Sequence, residues 1–331
     1  MSITSPTGAK GPVLAVDIGG TKTSAAVVLD DGRLVARVTA PTPAAQGGQA
    51  ILAAALRLAR TASENAVERS GSTPPVAVGF GTAGVVDPTG RRIRSATSAL
   101  PGWADTDVAD AAEQEFQVPA TVLGDVQAFL AGESAHGVAR GASVAVAVMA
   151  GTGIGGAVLV DGRVLRGAGG AAGHVGHVPV PGAELRPCPC GASGHVEALA
   201  AGPAMTAEAQ RRLPGHDIPD LQAAAALARA GHGEARAAIE AGGAALGVAL
   251  AGVIALLDPD LVVLGGGAAA AGPWFEAGLR EALTRNALPL LTRVPVVRSS
   301  MDADAVLIGA AVEARTLLAH PASTERNEVV L

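Results

Sequence analysis

Two stretches of this chain follow one plan. "LAVDIGGTKTSAAVVLDDGRLV" begins at Leu14, and "VAVAVMAGTGIGGAVLVDGRVL" runs from Val144 to Leu165. Each reads as an apolar strand, a Gly/Thr turn, a strand of small residues and a hairpin closed by Asp-Gly-Arg. An offset of about 130 residues is too long for a solenoid unit. It fits a duplicated α/β lobe. The chain has 331 residues, enough for two such lobes and a large core. The expected division is 12–134 for the first lobe and 135–302 for the second. A helix over 303–318 would return to the first lobe, and 319–331 would form a loose tail. Two lobes would meet at a cleft, the usual seat of a small-molecule site.

Further elements follow from local pattern. Gln49 to Arg69 has helical periodicity, and "PVAVGF" from Pro75 reads as a buried strand. "ATVLGD" is a strand ending at Asp125, with a helix after it. Ala241 to Leu257 is apolar and rich in Ala and Gly, slightly short for a bilayer, and reads as a buried helix. "DPDLVVLGGG" is a strand ending in glycines, and the last helix would be capped by Asp302 or Asp304.

Aromatic residues make up only 2% of the chain, so the core must be Ala, Val, Leu and Ile packed closely around glycine. A net charge of −6 without a basic run argues against nucleic acid as a partner. The polar first residues carry no secretory pattern, and two cysteines make no disulfide framework. A cytoplasmic protein without membrane partners is the expectation.

"DIGGT" lies between two strands, so it is neither a Walker loop nor a dinucleotide fingerprint, both of which open a helix. Backbone N–H groups of such a turn still form an anion nest. Asp17, Gly19, Gly20, Thr21 and Lys22 in one repeat, and Gly151, Thr152 and Gly153 in the other, suit a polyphosphate with Mg²⁺. Gly265, Gly266 and Gly267 form a third glycine-rich strand end. Two ordinary hairpins are the plainer reading.

Asp125 sits where a strand becomes a helix. Asp is a favoured N-cap there. It is equally placed as a general base for a hydroxyl. His177, Cys188, Cys190 and His195 have the spacing H-x10-C-x-C-x4-H. Two thiolates and two imidazoles suit tetrahedral, structural zinc; a Cys-x-Cys disulfide has poor geometry. His174 lies three residues before His177, so on a strand the two would face opposite ways. His174 would then face substrate and His177 the metal. Glu197 could hold a substrate hydroxyl or be a solvated helix residue.

In order, "AVDIGGTKT", "PGW", "GDVQA", "GTGIGGAV", "GHVGH", "CPCGASGHVE" and "LVVLGGG" resemble the ROK family of sugar kinases and sugar-responsive repressors. The resemblance spans Val13 to Leu318. It implies a two-lobed, actin-like and RNase H-like sugar kinase fold, ATP with Mg²⁺, a hexose acceptor and a homodimer. It places Asp125 at the catalytic base. Gly84, Gln127, His174, His177 and Glu197 fall at the sugar, and Cys188 and Cys190 at two of three zinc cysteines. Sixteen residues precede "DIGGT". No helix-turn-helix domain is therefore expected.

The departures from the family pattern are informative. His195 replaces the third zinc cysteine. Gly124 and Ala99 replace two Asn residues, and His174 replaces a Glu. "AGHVGH" with "DVQA" is similar to the N-acetylmannosamine kinase branch of the family. A sugar amide offers a carbonyl acceptor, to which His can donate and an ionised Glu cannot. The expected reaction is ATP-dependent phosphorylation of an N-acetylhexosamine or hexose hydroxyl, at O6. A glucokinase and a sugar sensor without turnover are the alternatives.

Overall fold

The structure, a computed structural model, describes residues 10–97, 99–268, 271–301 and 303–319. The expected tail from 320 onward and the Asp302 cap lie outside the described residues. The chain forms two compact units. Unit 1 holds the described residues up to Arg140, Arg166–Ala172, and those from Ala303 onward. Unit 2 holds Gly141–Leu165 and the described part of Gly173–Asp302.

Unit 1 runs β1 (Val13–Ile18), β2 (Lys22–Val28), β3 (Leu34–Pro41), α1 (Gly48–Ser70), β4 (Val78–Thr82), β5 (Val85–Val86), β6 (Ile93–Ser95), α2 (Val108–Phe116), β7 (Ala120–Gly124) and α3 (Asp125–His136). Unit 2 runs β8 (Val144–Ala150), β9 (Ile154–Val160), β10 (Arg163–Val164), α4 (Glu197–Ala200), α5 (Gly202–Arg212), α6 (Leu221–Arg229), α7 (Gly233–Leu257), β11 (Leu261–Gly265), α8 (Pro273–Asn286) and β12 (Val296–Arg298). The last helix, α9 (Asp304–Ala319), belongs to unit 1.

The two main sheets have the same plan. Strand order is β3-β2-β1-β4-β7 in unit 1 and β10-β9-β8-β11-β12 in unit 2. In each, the first three strands form an antiparallel meander and the last two add in parallel. The duplication read from the two repeats extends to β4/β11 and β7/β12, where the sequences no longer look alike.

Strand β4, "VGFGT", shows how side-chain size assigns the sheet faces. Val78 and Phe80 enter the core formed with Ile51 and Ala55 of α1 and Ala109 and Ala112 of α2. Gly79 and Gly81 point the other way, as the strand period of two requires. A Cβ at Gly79 would overlap the carbonyl of Ala310, so α9 lies directly on the sheet. Helices α3 and α9 cross with equal closeness. A Cβ at Gly132 would overlap the carbonyl of Ala305, and one at Gly309 that of Ala128. Asp304 is the first residue of α9 and not its cap, and it pairs with Arg37.

In unit 2, Val146, Val148, Val262 and Leu264 pack with α5 to α8. Helix α7 is long and apolar enough to cross a membrane by length and composition. Leu246, Leu250 and Ile254 on one face are buried, whereas Leu256 is 82% exposed. The expected burial therefore holds for one face only.

The α3–α9 crossing is testable. Gly309→Val should lower the unfolding free energy of unit 1, read from urea titration, by about 1–3 kcal/mol from overpacking alone. Gly233→Ala, where the added methyl meets nothing within 4 Å, should stay within about 0.5 kcal/mol of the parent.

Candidate active site

The first glycine turn joins β1 to β2. Gly19 N–H donates to Lys22 O at 3.0 Å, closing the turn. Thr42 then braces it, donating from Oγ1 to Gly19 O at 2.7 Å, while its N–H donates to Thr21 O at 3.0 Å. Thr42 went unnoticed in the sequence because it lies 23 residues beyond the turn. Gly20 approaches the methyl of Ala99, and Thr21 and Lys22 are exposed.

Asp17 is the penultimate residue of β1. Burial first, then the negative charge of Asp125, push its carboxyl up to about 7, against the opposing pull of Lys22 and Arg37. Asp17, near the end of β1, and Asp125, directly after β7, are thus close enough to interact.

Asp125 is the first residue of α3, and Gly124 holds the cap position. Asp125 Oδ1 accepts from Val126 N–H at 2.8 Å. Gln127 caps the helix instead, its Oε1 accepting from Gly124 N–H at 3.1 Å. Gln127 is 5% exposed, so this expected sugar residue has a local structural partner. Gly84 is held at φ +110°, and a Cβ would lie 2.6 Å from Ser95 O; backbone geometry alone requires glycine there. Trp103 of "PGW" is fully buried, with Nε1 donating to Thr82 Oγ1 at 3.0 Å.

In unit 2 the second turn joins β8 to β9. Gly151 N–H donates to Gly153 O at 2.9 Å, and Thr152 is exposed. The strand end Gly265–Gly267 lies against the same β8 terminus. Gly266 has φ +90°, and a Cβ there would overlap Ala150 O, which also accepts from Ala268 N–H at 2.8 Å.

The histidine segment lies on the start of β9. A Cβ at Gly156 would overlap Gly173 O, and one at Gly176 would overlap Ile154 O. "GTGIGG" therefore needs Gly156 to admit the histidines. Val175–His177 is a 3-10 turn with His174 preceding it. This corrects the expectation of opposite faces. A 3-10 turn has three residues per turn, so positions three apart align. The rings of His174 and His177 stack at 6.1 Å, 20° between planes. His174 Nδ1 is buried with no hydrogen-bond partner.

His177, Cys188, Cys190 and His195 converge, with one ligand atom from each lying within 4.8 Å of every other. Cys188 Sγ is 3.7 Å from His177 Nδ1 and Cys190 Sγ 3.3 Å from His195 Nδ1. Zinc bonds of about 2.0–2.3 Å require ligand atoms roughly 3.5 Å apart, so the donor set fits a tetrahedral ion. Both cysteines are free thiols. Burial, chiefly, raises Cys188 to about 11 and lowers His177.

Glu197 opens α4. Its Oε2 accepts from Ile154 N–H, at the foot of the second turn, at 2.7 Å. Cys188 Sγ donates weakly to its Oε1 at 3.9 Å. It is not a freely solvated helix residue. The separation of 43 positions between Ile154 and Glu197 left no local signal of this bond.

The ROK family model matches residues 13–316. The chain belongs to the ROK family. The N-acetylmannosamine kinase of Yersinia pseudotuberculosis serotype O:1b (strain IP 31758) is 34% identical over 313 residues, 93% of this chain and 100% of that protein. A ROK hexokinase from Thermus thermophilus superposes with TM-score 0.79 at 33% identity, covering 92% of this chain and 98% of the other. A ROK family glucokinase from Streptomyces griseus, crystallised with glucose and AMPPNP, also gives 0.79, at 28% identity, covering 92% and 100%. The ROK sugar kinases carry the two-lobed actin-like fold, and this ROK chain shares it.

The state of Asp17 in this ROK chain predicts a pH effect. Its folded value is raised to about 7 from an ordinary 3.8. Between these values the folded state binds more protons than the unfolded state. Its contribution is thus present below about 4 and lost as pH rises through about 7. Thermal melts of the ligand-free protein from pH 5 to 7.5 should show a decline that Asp17→Asn removes.

Proposed function

We propose that this protein is an ATP-dependent sugar kinase that phosphorylates N-acetylmannosamine, at O6. Membership of the ROK family and full-length similarity to an N-acetylmannosamine kinase support the reaction. The observation that carries the choice of sugar is His174. Its buried, unpartnered Nδ1 is a donor in the tautomer that protonates it, suited to the carbonyl of an N-acetyl group. A hexose kinase is the second reading, favoured by the similarity to the glucokinase crystallised with glucose.

In this reading Asp125 is the general base. It accepts the proton of the sugar hydroxyl as that oxygen bonds to the γ-phosphorus, and the β–γ bridging bond breaks to release ADP. The turns Gly19–Lys22 and Gly151–Gly153 take phosphate oxygens on their N–H groups, and Lys22 adds a positive charge. Gly265–Gly267 passes beside the adenosine. Asp17 would hold Mg²⁺, whose charge offsets that developing on the phosphate oxygens. Burial first, then the charge of Asp125, raises Asp17, and a divalent cation would offset both. Glu197 and His177 contact the sugar. Gln127 supports it indirectly, by fixing the head of α3. Zinc at His177, Cys188, Cys190 and His195 is structural. The free thiols and an ATP donor fit a reducing cytoplasm. A homodimer is part of this reading by resemblance to the family.

A coupled ADP assay over N-acetylmannosamine, N-acetylglucosamine, glucose, mannose, allose and fructose tests this. We expect highest kcat/KM with N-acetylmannosamine and a loss of about 10²–10⁴-fold in kcat for Asp125→Asn. His174→Glu should shift preference toward glucose. Best turnover with glucose in the parent would refute the amide argument and leave the kinase standing. Nucleotide binding without turnover on any sugar would point to a sensor.

A further inference from the structure

We propose that Glu197 is a positioning residue that transmits metal occupancy of the Cys/His cluster to the phosphate turn of unit 2, so that nucleotide affinity depends on zinc. The inference rests on the proposed function for the turn being a phosphate nest, and all its parts lie within unit 2.

The turn 151–153 is held at both ends by one short segment. At its C-terminal end, Ile154 N–H donates to Glu197 Oε2 at 2.7 Å. At its N-terminal end, Gly151 O accepts from Gly202 N–H at 2.8 Å. Glu197 and Gly202 bracket α4, a single helical turn. The carboxylate lies directly against the turn, because a Cβ on Gly153 would stand only 2.7 Å from Oε2. A shift of the carboxylate would therefore change the direction of the Ile154 N–H and the shape of the nest.

The same segment is fixed at its other end by the metal cluster. His195 is two residues before Glu197. Val196 N–H donates to Val178 O at 3.0 Å, and Val180 N–H to Gly194 O at 3.1 Å. Pro179 and His195 form an isolated bridge. His177 thus leads directly into the strip that pairs with His195. Cys188 reaches the carboxylate itself, at 3.9 Å. Between residues 178 and 196 the chain has only isolated bridges and turns. Protein contacts among the four ligands are weak, at 3.3 and 3.7 Å between sulfur and nitrogen. A bound ion would order this loop, and the order would pass through His195 and Val196 to Glu197. The resemblance gives Glu197 a sugar role. The bond to Ile154 gives it a second role, toward the nucleotide, that a sugar contact does not require.

The test is calorimetric titration of a non-hydrolysable ATP analogue with Mg²⁺, without sugar, into the full chain. Zinc-loaded protein is compared with protein stripped by a zinc-selective chelator, and folding is verified by circular dichroism. We expect stripping to weaken nucleotide binding at least fivefold in the parent. Zinc-loaded Glu197→Ala should be weakened to a similar degree and lose nothing more on stripping. Glu197→Gln keeps an oxygen acceptor for Ile154 N–H and should restore most of the affinity. Parent affinity unchanged within twofold on stripping, or a full zinc dependence surviving in Glu197→Ala, would overturn the coupling. If stripping unfolds the chain, equal nucleotide affinity of zinc-loaded Glu197→Ala and Glu197→Gln overturns it. Absence of nucleotide binding in the zinc-loaded parent would overturn the kinase reading and the coupling together. Tight binding indifferent to zinc overturns the coupling alone.

Discussion

Helices α3 and α9 touch backbone to backbone, and so do α7 and α8. Added methyls at Gly132 and Gly309 would strike carbonyls of the facing helix, as would methyls at Gly243, Gly247 and Gly278. A chain with 2% aromatic residues cannot fill its interior with large rings. It reaches interior density by bringing main chains together. Ala and Gly side chains lose almost no rotamer entropy on burial, which offsets the small area each one hides. The consequence is low tolerance: each crossing fixes its partner to within one methyl group. The strand ends carrying Asp17, Asp125 and the second turn are held to that precision.

Each unit presents its chemistry at the ends of the strands that lead out of the sheet, as open α/β sheets do. Unit 1 contributes carboxylates, from the ends of β1 and β7. Unit 2 contributes a Cys/His loop and Glu197, folded over the start of β9. The duplicated sheets are alike because the meander and two parallel strands bury the same apolar pattern twice. The loops differ because nothing in the sheet constrains them once the turn is closed.

The sheets were legible in sequence because a strand, a two- or three-residue turn and a second strand are a local pattern. The Asp-Gly-Arg hairpins marked the register. Helix α8 and strand β12 were not legible. Helix α8 carries Arg280, Glu281 and Arg285 on a short amphipathic face, and β12 has three residues. Only the packing on α7 and the pairing with β11 give them form. The convergence of His177, Cys188, Cys190 and His195 was legible by spacing. The direction of His174 was not, because the close contact of Gly173 and Gly176 with β9 folds that segment into a 3-10 turn. Glu197 was recognised as a site residue by resemblance, yet its bond to Ile154 depends on a fold that brings distant segments together.

Two glycines at expected sugar positions have different structural weight. Gly84 is glycine because its backbone demands it. Gly124 is not: it has φ −60° and ψ 148°, ordinary extended values. A Cβ there would meet Gln127 Oε1 and Gly84 O at 3.4 and 3.6 Å, normal contact distances. The backbone at 124 therefore does not by itself demand glycine. Ala99 likewise removes an amide and leaves a methyl against Gly20. Both changes remove hydrogen-bonding groups on unit 1 and leave volume. On unit 2, His174 exchanges an anionic acceptor for a ring able to donate. A hexose whose hydroxyls were held by such groups would lose those partners. Under the proposed function, the acceptor of an N-acetyl group would meet the unpartnered Nδ1 of His174, a match that unit 2 carries by itself.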